Sequence, residues 1–179
     1  MRTTVHRWWF VWDFEKEEKW LNDMAAQGLA LVSTGFLRYE FEPCEPGEYI
    51  VRLEYMAHRP RSAEGRQYIE FLESTGAEHL GSYGRWVFFR KRTELGPFDI
   101  YSDLDSRIAH LRRIQPLLLI LGLLNLALGL QNVLLAFGDG VGFNHVGFVN
   151  LALGLLLFYG AYRFQKKIRR LKQERQVFE

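Results

Sequence analysis

The chain has 179 residues, with 23 Lys and Arg against 21 Asp and Glu and a formal net charge of +2, a length that allows one modest domain and an appendage. The near balance hides a division: residues 1–105 hold 13 basic and 18 acidic side chains, whereas residues 106–179 hold 10 and 3. An acidic first part argues against a nucleic-acid partner, basic residues beside apolar runs point to a membrane surface, and a lone Cys44 excludes an intramolecular disulfide and a cysteine-built zinc site.

Residues 1–4 are followed by His6-Arg7-Trp8-Trp9 with acids soon after, without the apolar core or cleavage site of a secretory leader. The first part is therefore expected on the side of the membrane where it is made. Residues 6–14, rich in Trp, Phe and Val, read as a strand. A helix follows with Glu15, Glu17 and Glu18 in its first turn and Trp20, Leu21 and Met24 as its apolar stripe, stopped by Gly28. A second strand is predicted over 29–42, in which Leu37, Tyr39 and Phe41 alternate with Arg38, Glu40 and Glu42. The turn residues between Pro43 and Gly47 suggest a hairpin to a third strand over 49–58, with Tyr49, Val51, Leu53 and Tyr55 inside and Arg52 and Glu54 on an exposed charged face. Ser62 is a suitable N-cap for a second helix through Ser74, with Tyr68, Ile69 and Leu72 inward. A fourth strand is expected over 79–92. The order strand, helix, strand, strand, helix, strand is that of an α+β, ferredoxin-like βαββαβ domain over residues 1–95, in which the first and fourth strands are neighbours.

Gly96-Pro97 breaks the chain, and residues 96–115 read as a linker and juxtamembrane helix opened by a capping box at Ser102. Residues 116–137 carry no charge and are long enough to cross a hydrocarbon core of about 30 Å, with Pro116 either opening that helix or kinking a longer one. Residues 146–162 form a shorter second span, and a basic tail occupies 163–179. A buried soluble hairpin or a re-entrant segment is the alternative reading of the two runs. Arg112 and Arg113 precede the first span, Arg163, Lys166, Lys167, Arg169 and Arg170 follow the second, and the 138–145 linker between them is acidic or neutral. The positive-inside rule then places both termini in the cytoplasm of a two-span inner-membrane protein, with the linker outside.

The stretch Glu17-Glu18-Lys19-Trp20-Leu21-Asn22-Asp23-Met24-Ala25, together with Trp12-Asp13-Phe14, Tyr39-Glu40-Phe41-Glu42, Phe88-Phe89-Arg90-Lys91 and Tyr101-Ser102-Asp103, resembles the bacterial membrane family known as domain of unknown function 2812. The resemblance implies a cytosolic α/β domain followed by membrane helices, and no activity or site residues.

Several constellations are candidates for function. The two spans share a Gly-x-x-Asn-x-x-x-Gly pattern, Gly122, Asn125 and Gly129 in one and Gly147, Asn150 and Gly154 in the other. Small residues let helices approach, so the pattern predicts antiparallel pairing with Asn125 and Asn150 meeting at similar depth; pairing in a dimer is open, and so is a substrate path. Trp8, Trp9, Trp86 and Phe88 are expected on the uncovered sheet face, as a partner, dimer or small-ligand surface, or within a covered core. The tail suits anionic headgroups, as a topology anchor or as a short amphipathic helix lying on the bilayer. The five histidines are scattered and no catalytic or phosphate-binding motif is present, so neither an enzyme nor a cofactor or metal is expected. The leading expectation is a membrane-tethered binding, sensory or regulatory accessory protein; the alternative is a subunit of an oligomeric transporter or channel.

Overall fold

A computed structural model describes residues 2–101, 103–138 and 145–178. The linker over 139–144 and the capping Ser102 lie outside the described residues. The chain divides into two compact units, Met1–Asp103 and Leu104–Glu179.

The first unit is an α+β fold made of one βαββ module used twice. The first module comprises β1 (Thr3–His6), α1 (Phe14–Ala26), β2 (Leu29–Gly35) and β3 (Arg38–Pro43); the second comprises β4 (Tyr49–Tyr55), α2 (Ala63–Ser74), β5 (Ala77–Tyr83) and β6 (Trp86–Arg92). Each module makes a three-stranded antiparallel sheet with its last strand in the centre, ordered β1-β3-β2 and β4-β6-β5. From the helix onward the copies run in step, 48 residues apart from Gly28 to Gly76. Both glycines end a helix at positive φ, 83° and 89°, where a side chain would be strained. Each sheet shifts register at the same place, between Leu31 and Ser33 in β2 and between His79 and Gly81 in β5. Phe36 and Tyr83, beside the two hairpin turns, stack at 5.0 Å.

In coarse outline the ferredoxin-like βαββαβ order holds, but the first and fourth predicted strands are not neighbours, since β1 pairs with β3 in one sheet and β5 and β6 lie in the other, and further expectations change locally. The predicted strands over 29–42 and 79–92 are each a hairpin, turned at Phe36-Leu37 and Gly84-Arg85. The Pro43–Gly47 stretch joins two sheets, because β3 pairs with β1 and β2 while β4 pairs with β6. The first strand ends at His6, and Val11–Asp13 is a single 3₁₀ turn leading into α1.

The modules hold each other by a shared apolar core and by polar groups. β4 is an edge strand whose free side is taken by α1: Asn22 Nδ2 donates to the Val51 carbonyl at 3.0 Å, Asn22 Oδ1 accepts from Val51 N at 2.9 Å, and Glu18 Oε2 accepts from Leu53 N at 2.9 Å. Side chains thus replace the missing neighbour strand and close an edge that would otherwise template pairing. Burial raises the Glu18 pKa, opposed by the Leu53 bond and by Arg52. On the other side β5 passes β2, where Gly81 leaves room for the Thr34 carbonyl, and Arg90 Nη1 donates to the Leu31 carbonyl at 3.0 Å.

Two cores result. Leu21, Leu31, Tyr39, Phe41, Val51, Leu53 and Phe88 form one around α1. Met56, Ile69, Leu72, Ala77, Val87, Phe89 and Phe98 form the other under α2. The β4–β6 sheet is therefore covered on both faces. This corrects the exposed charged face expected at Arg52 and Glu54: Glu54 is 3% exposed and accepts from the Tyr68 hydroxyl of α2 at 2.7 Å.

The second unit is an antiparallel pair, α3 (Leu104–Gly138) and α4 (His145–Phe178). α3 runs unbroken through Pro116, so the juxtamembrane helix and the first span are one element. α4 likewise carries the second span and the basic tail in one helix, which corrects the expected separate amphipathic segment. At 1.5 Å per residue each is roughly 50 Å long, well beyond a hydrocarbon core of about 30 Å.

Candidate functional site

The helix pair is built on a seven-residue repeat. Ile108, Gln115, Gly122, Gly129 and Ala136 recur every seventh position of α3, as do Gly147, Gly154, Ala161 and Ile168 in α4, the spacing of a supercoiled seam. The four glycines lie on this seam. A Cβ on Gly122 would lie 3.4 Å from the Gly154 carbonyl, and one on Gly147 would lie 3.2 Å from the Gly129 carbonyl. The first glycine of each copy therefore faces the last of the other. A Cβ on Gly154 would sit 2.7 Å from Leu126 and 3.1 Å from the Gly122 carbonyl. Gly154→Val should weaken the pair by about 1–2 kcal/mol through overpacking. The check is SDS titration into mild micelles followed by helical circular dichroism; an unchanged midpoint would remove the seam.

Asn125 and Asn150 lie at similar depth but do not bond each other. The Asn125 amide donates to the Leu121 carbonyl of its own helix at 2.8 Å, and Asn132 treats Leu128 in the same way. An intrahelical acceptor four residues back is always within reach, so the asparagine needs no partner across the seam. The crossing bond lies lower, where Gln115 Nε2 donates to Gln165 Oε1 at 2.9 Å. That bridge marks the boundary between the uncharged part of the pair and its basic end, where Arg112, Lys166, Arg169 and Arg170 are exposed and Arg113, Arg163 and Lys167 are half-buried. Arg175 closes the end by pairing with Asp105 at 2.7 Å. α3 and α4 are both long and apolar enough to cross a membrane.

In the first unit the aromatic candidates separate. Trp8 is 61% exposed and Phe88 5%. Trp86 is half-buried against Phe14 of α1, ring centroids 5.4 Å apart. Trp9 joins a different group, at 6.0 Å from Trp20. Tyr39 and Phe41 turn their edges to Trp20 at 5.1 and 5.7 Å, interplanar angles 83° and 84°. The Arg7 guanidinium stands over both indoles, 4.4 Å from the Trp9 centroid and 4.9 Å from that of Trp20. Beside this box the Glu17 carboxylate accepts from the Tyr39 hydroxyl at 2.6 Å. Sequence reasoning placed Glu17 only as a dipole partner at the start of a helix; nothing local to it signals Tyr39, which is 22 residues away. Among the described residues no group of three or more His, Cys, Asp or Glu side chains converges as a metal site would.

Burial pushes the Glu17 pKa up to about 7, and the bond from Tyr39 opposes it only in part. The stability carried by the protonated form is complete below the free-carboxylate value of 4.5 and is lost as pH rises through about 7. Unfolding free energy should therefore fall between pH 5 and pH 8. Glu17→Gln, which keeps an acceptor for Tyr39, should flatten the profile and stabilise the unit at pH 8 by about 1–2 kcal/mol, after allowance for partial exposure. Denaturant titrations at the two pH values read this directly, and a parallel pH dependence in the variant would refute it.

Neither the curated proteins nor the solved structures contain a match to this chain. A family profile, described as a protein of unknown function (DUF2812), matches residues 13–123. That span runs from the turn before α1, through the first module without β1 and the whole of the second, to the middle of α3 and covers more than half of the sequence, so the chain belongs to the DUF2812 family.

Proposed function

We propose that this protein is a membrane-tethered binding protein of sensory or regulatory type, with its α+β unit and both termini in the cytoplasm and its helix pair as a two-span anchor. The observation that carries the reading is the distribution of charge on the pair: the basic side chains of α3 and α4 gather at one end, at and beyond the Gln115–Gln165 bridge, while residues 116–138 and 146–162 carry none. Near an anionic leaflet each such Lys or Arg contributes about 1 kcal/mol, which favours that end inside. The transporter alternative has less support, because the seam is filled by glycine contacts and Asn125 is satisfied within its own helix.

The test is labelling by an impermeant thiol reagent in intact cells, in a Cys44→Ser background. A cysteine at His145 should react from outside and one at Lys172 only after permeabilisation. Labelling of Lys172→Cys in sealed cells, or recovery of the chain in the soluble fraction, would overturn the reading.

A further inference from the structure

We propose that the box formed by Trp9, Trp20 and Tyr39 is a binding site for a small organic cation, which enters by displacing the guanidinium of Arg7. The inference names the ligand class for the binding role above and rests on that reading only for access to cytosolic solutes. The box already holds a cation in the geometry such a ligand would need, over two indole faces at 4.4 and 4.9 Å. Its walls are set by the core and not by the occupant. Trp20 is fixed by the edges of Tyr39 and Phe41, which are 4% and 0% exposed.

The resident cation, by contrast, is held loosely. Arg7 lies on an exposed stretch, its backbone N–H bonds the Leu37 carbonyl at 3.1 Å, and among the described residues its guanidinium has no carboxylate within ion-pair distance. It leaves the charge of the box unmatched. Its field reaches the Tyr39 hydroxyl, yet Glu17, bonded to that hydroxyl, has no cation beside it among the described residues. A cationic head in the same place would gain from charge on Glu17, which the Tyr39 hydroxyl holds beside the box. Because the box adjoins the exposed Trp8 and Phe10, an apolar body attached to that head fits better than a bare amine.

The experiment uses the full chain in mild micelles with benzyltrimethylammonium as probe and benzyl alcohol as its neutral control, read by tryptophan fluorescence and calorimetry. Saturable binding of the cation alone is expected. Arg7→Ala, by removing the competitor, should tighten it several-fold, and Trp20→Ala should weaken it about tenfold or more. Glu17→Gln should abolish a rise in affinity between pH 6 and pH 8. Gain of affinity in Arg7→Ala cannot arise from misfolding, so it guards against a Trp20→Ala chain that merely fails to fold. Equal binding of benzyl alcohol, or no gain in Arg7→Ala, would overturn the proposal. If the cysteine labelling still places both ends inside, only the cation site falls and the tethered reading stands.

Discussion

Phe41→Ala and Phe89→Ala should each destabilise the first unit by about 3–5 kcal/mol, the cost of emptying a fully buried aromatic site. The two residues occupy equivalent places in β3 and β6, both are 0% exposed, and they sit in different cores, Phe41 with Leu21 and Leu31 and Phe89 with Met56 and Ile69. All five tryptophans of the chain, Trp8, Trp9, Trp12, Trp20 and Trp86, lie within residues 1–103. Their fluorescence therefore reports this unit without interference from the helix pair. A denaturant titration should show one transition in either variant, because Asn22 and Glu18 bind the second module's strand to the first module's helix. A loss below about 1 kcal/mol in either variant would contradict the assigned core, since buried large-to-small changes rarely cost so little.

Gly65→Ala should cost roughly 3 kcal/mol, at the upper end of what overpacking does. Gly65 is buried in the first turn of α2, and a Cβ there would lie 2.0 Å from the Arg59 carbonyl oxygen and 2.8 Å from its carbon. Backbone atoms cannot swing aside as a flexible side chain can, so either the loop before α2 or the helix start must move. Moving the start also disturbs the cap, in which Ser62 Oγ accepts from Gly65 N at 3.1 Å. Ser62→Ala serves as the control for the cap alone, at about 1 kcal/mol. Equal losses in the two variants, read by the same fluorescence titration, would show that the close approach to Arg59 is relieved at no cost.

The helices α1 and α2 were legible because each carries an acid-rich or capped start, an apolar stripe and a glycine stop, all of them local signals. The seam of α3 and α4 was legible for a similar reason: Gly122, Gly129, Gly147 and Gly154 repeat in a short window, and small residues let helix backbones approach closely. The hairpins β2–β3 and β5–β6 were not: the first turn lacks the usual punctuation, and the second carries a single Gly84, at φ 62°, inside a run that otherwise reads as one strand. At the first, Leu37 takes φ 57° where glycine or asparagine would be the signal. The module repeat was present in the spacing, with Trp20, Leu21, Met24, Gly28 and Phe41 answered by Tyr68, Ile69, Leu72, Gly76 and Phe89. Few of those pairs are identical, so the repeat shows only once pairs are compared by size and burial. The aromatic box was half legible. Trp9 stood out by composition, but its partners Trp20 and Tyr39 come from a helix and a strand whose meeting no spacing in the sequence announces.

The polar clamp on β4 also makes the duplicated unit one-sided. At the positions of α2 equivalent to Glu18 and Asn22 stand Arg66 and Glu70, and β1 has no helix bonded along its free side among the described residues. Two copies of the first module would offer two latches and two copies of the second none, whereas the chain has a single latch. That latch is one residue away from Glu17, so neighbouring side chains on one turn of α1 face the Tyr39 hydroxyl of one sheet and the Leu53 amide of the other. A proton gained or lost at Glu17 thus changes the charge one residue away from a bond that joins the two modules.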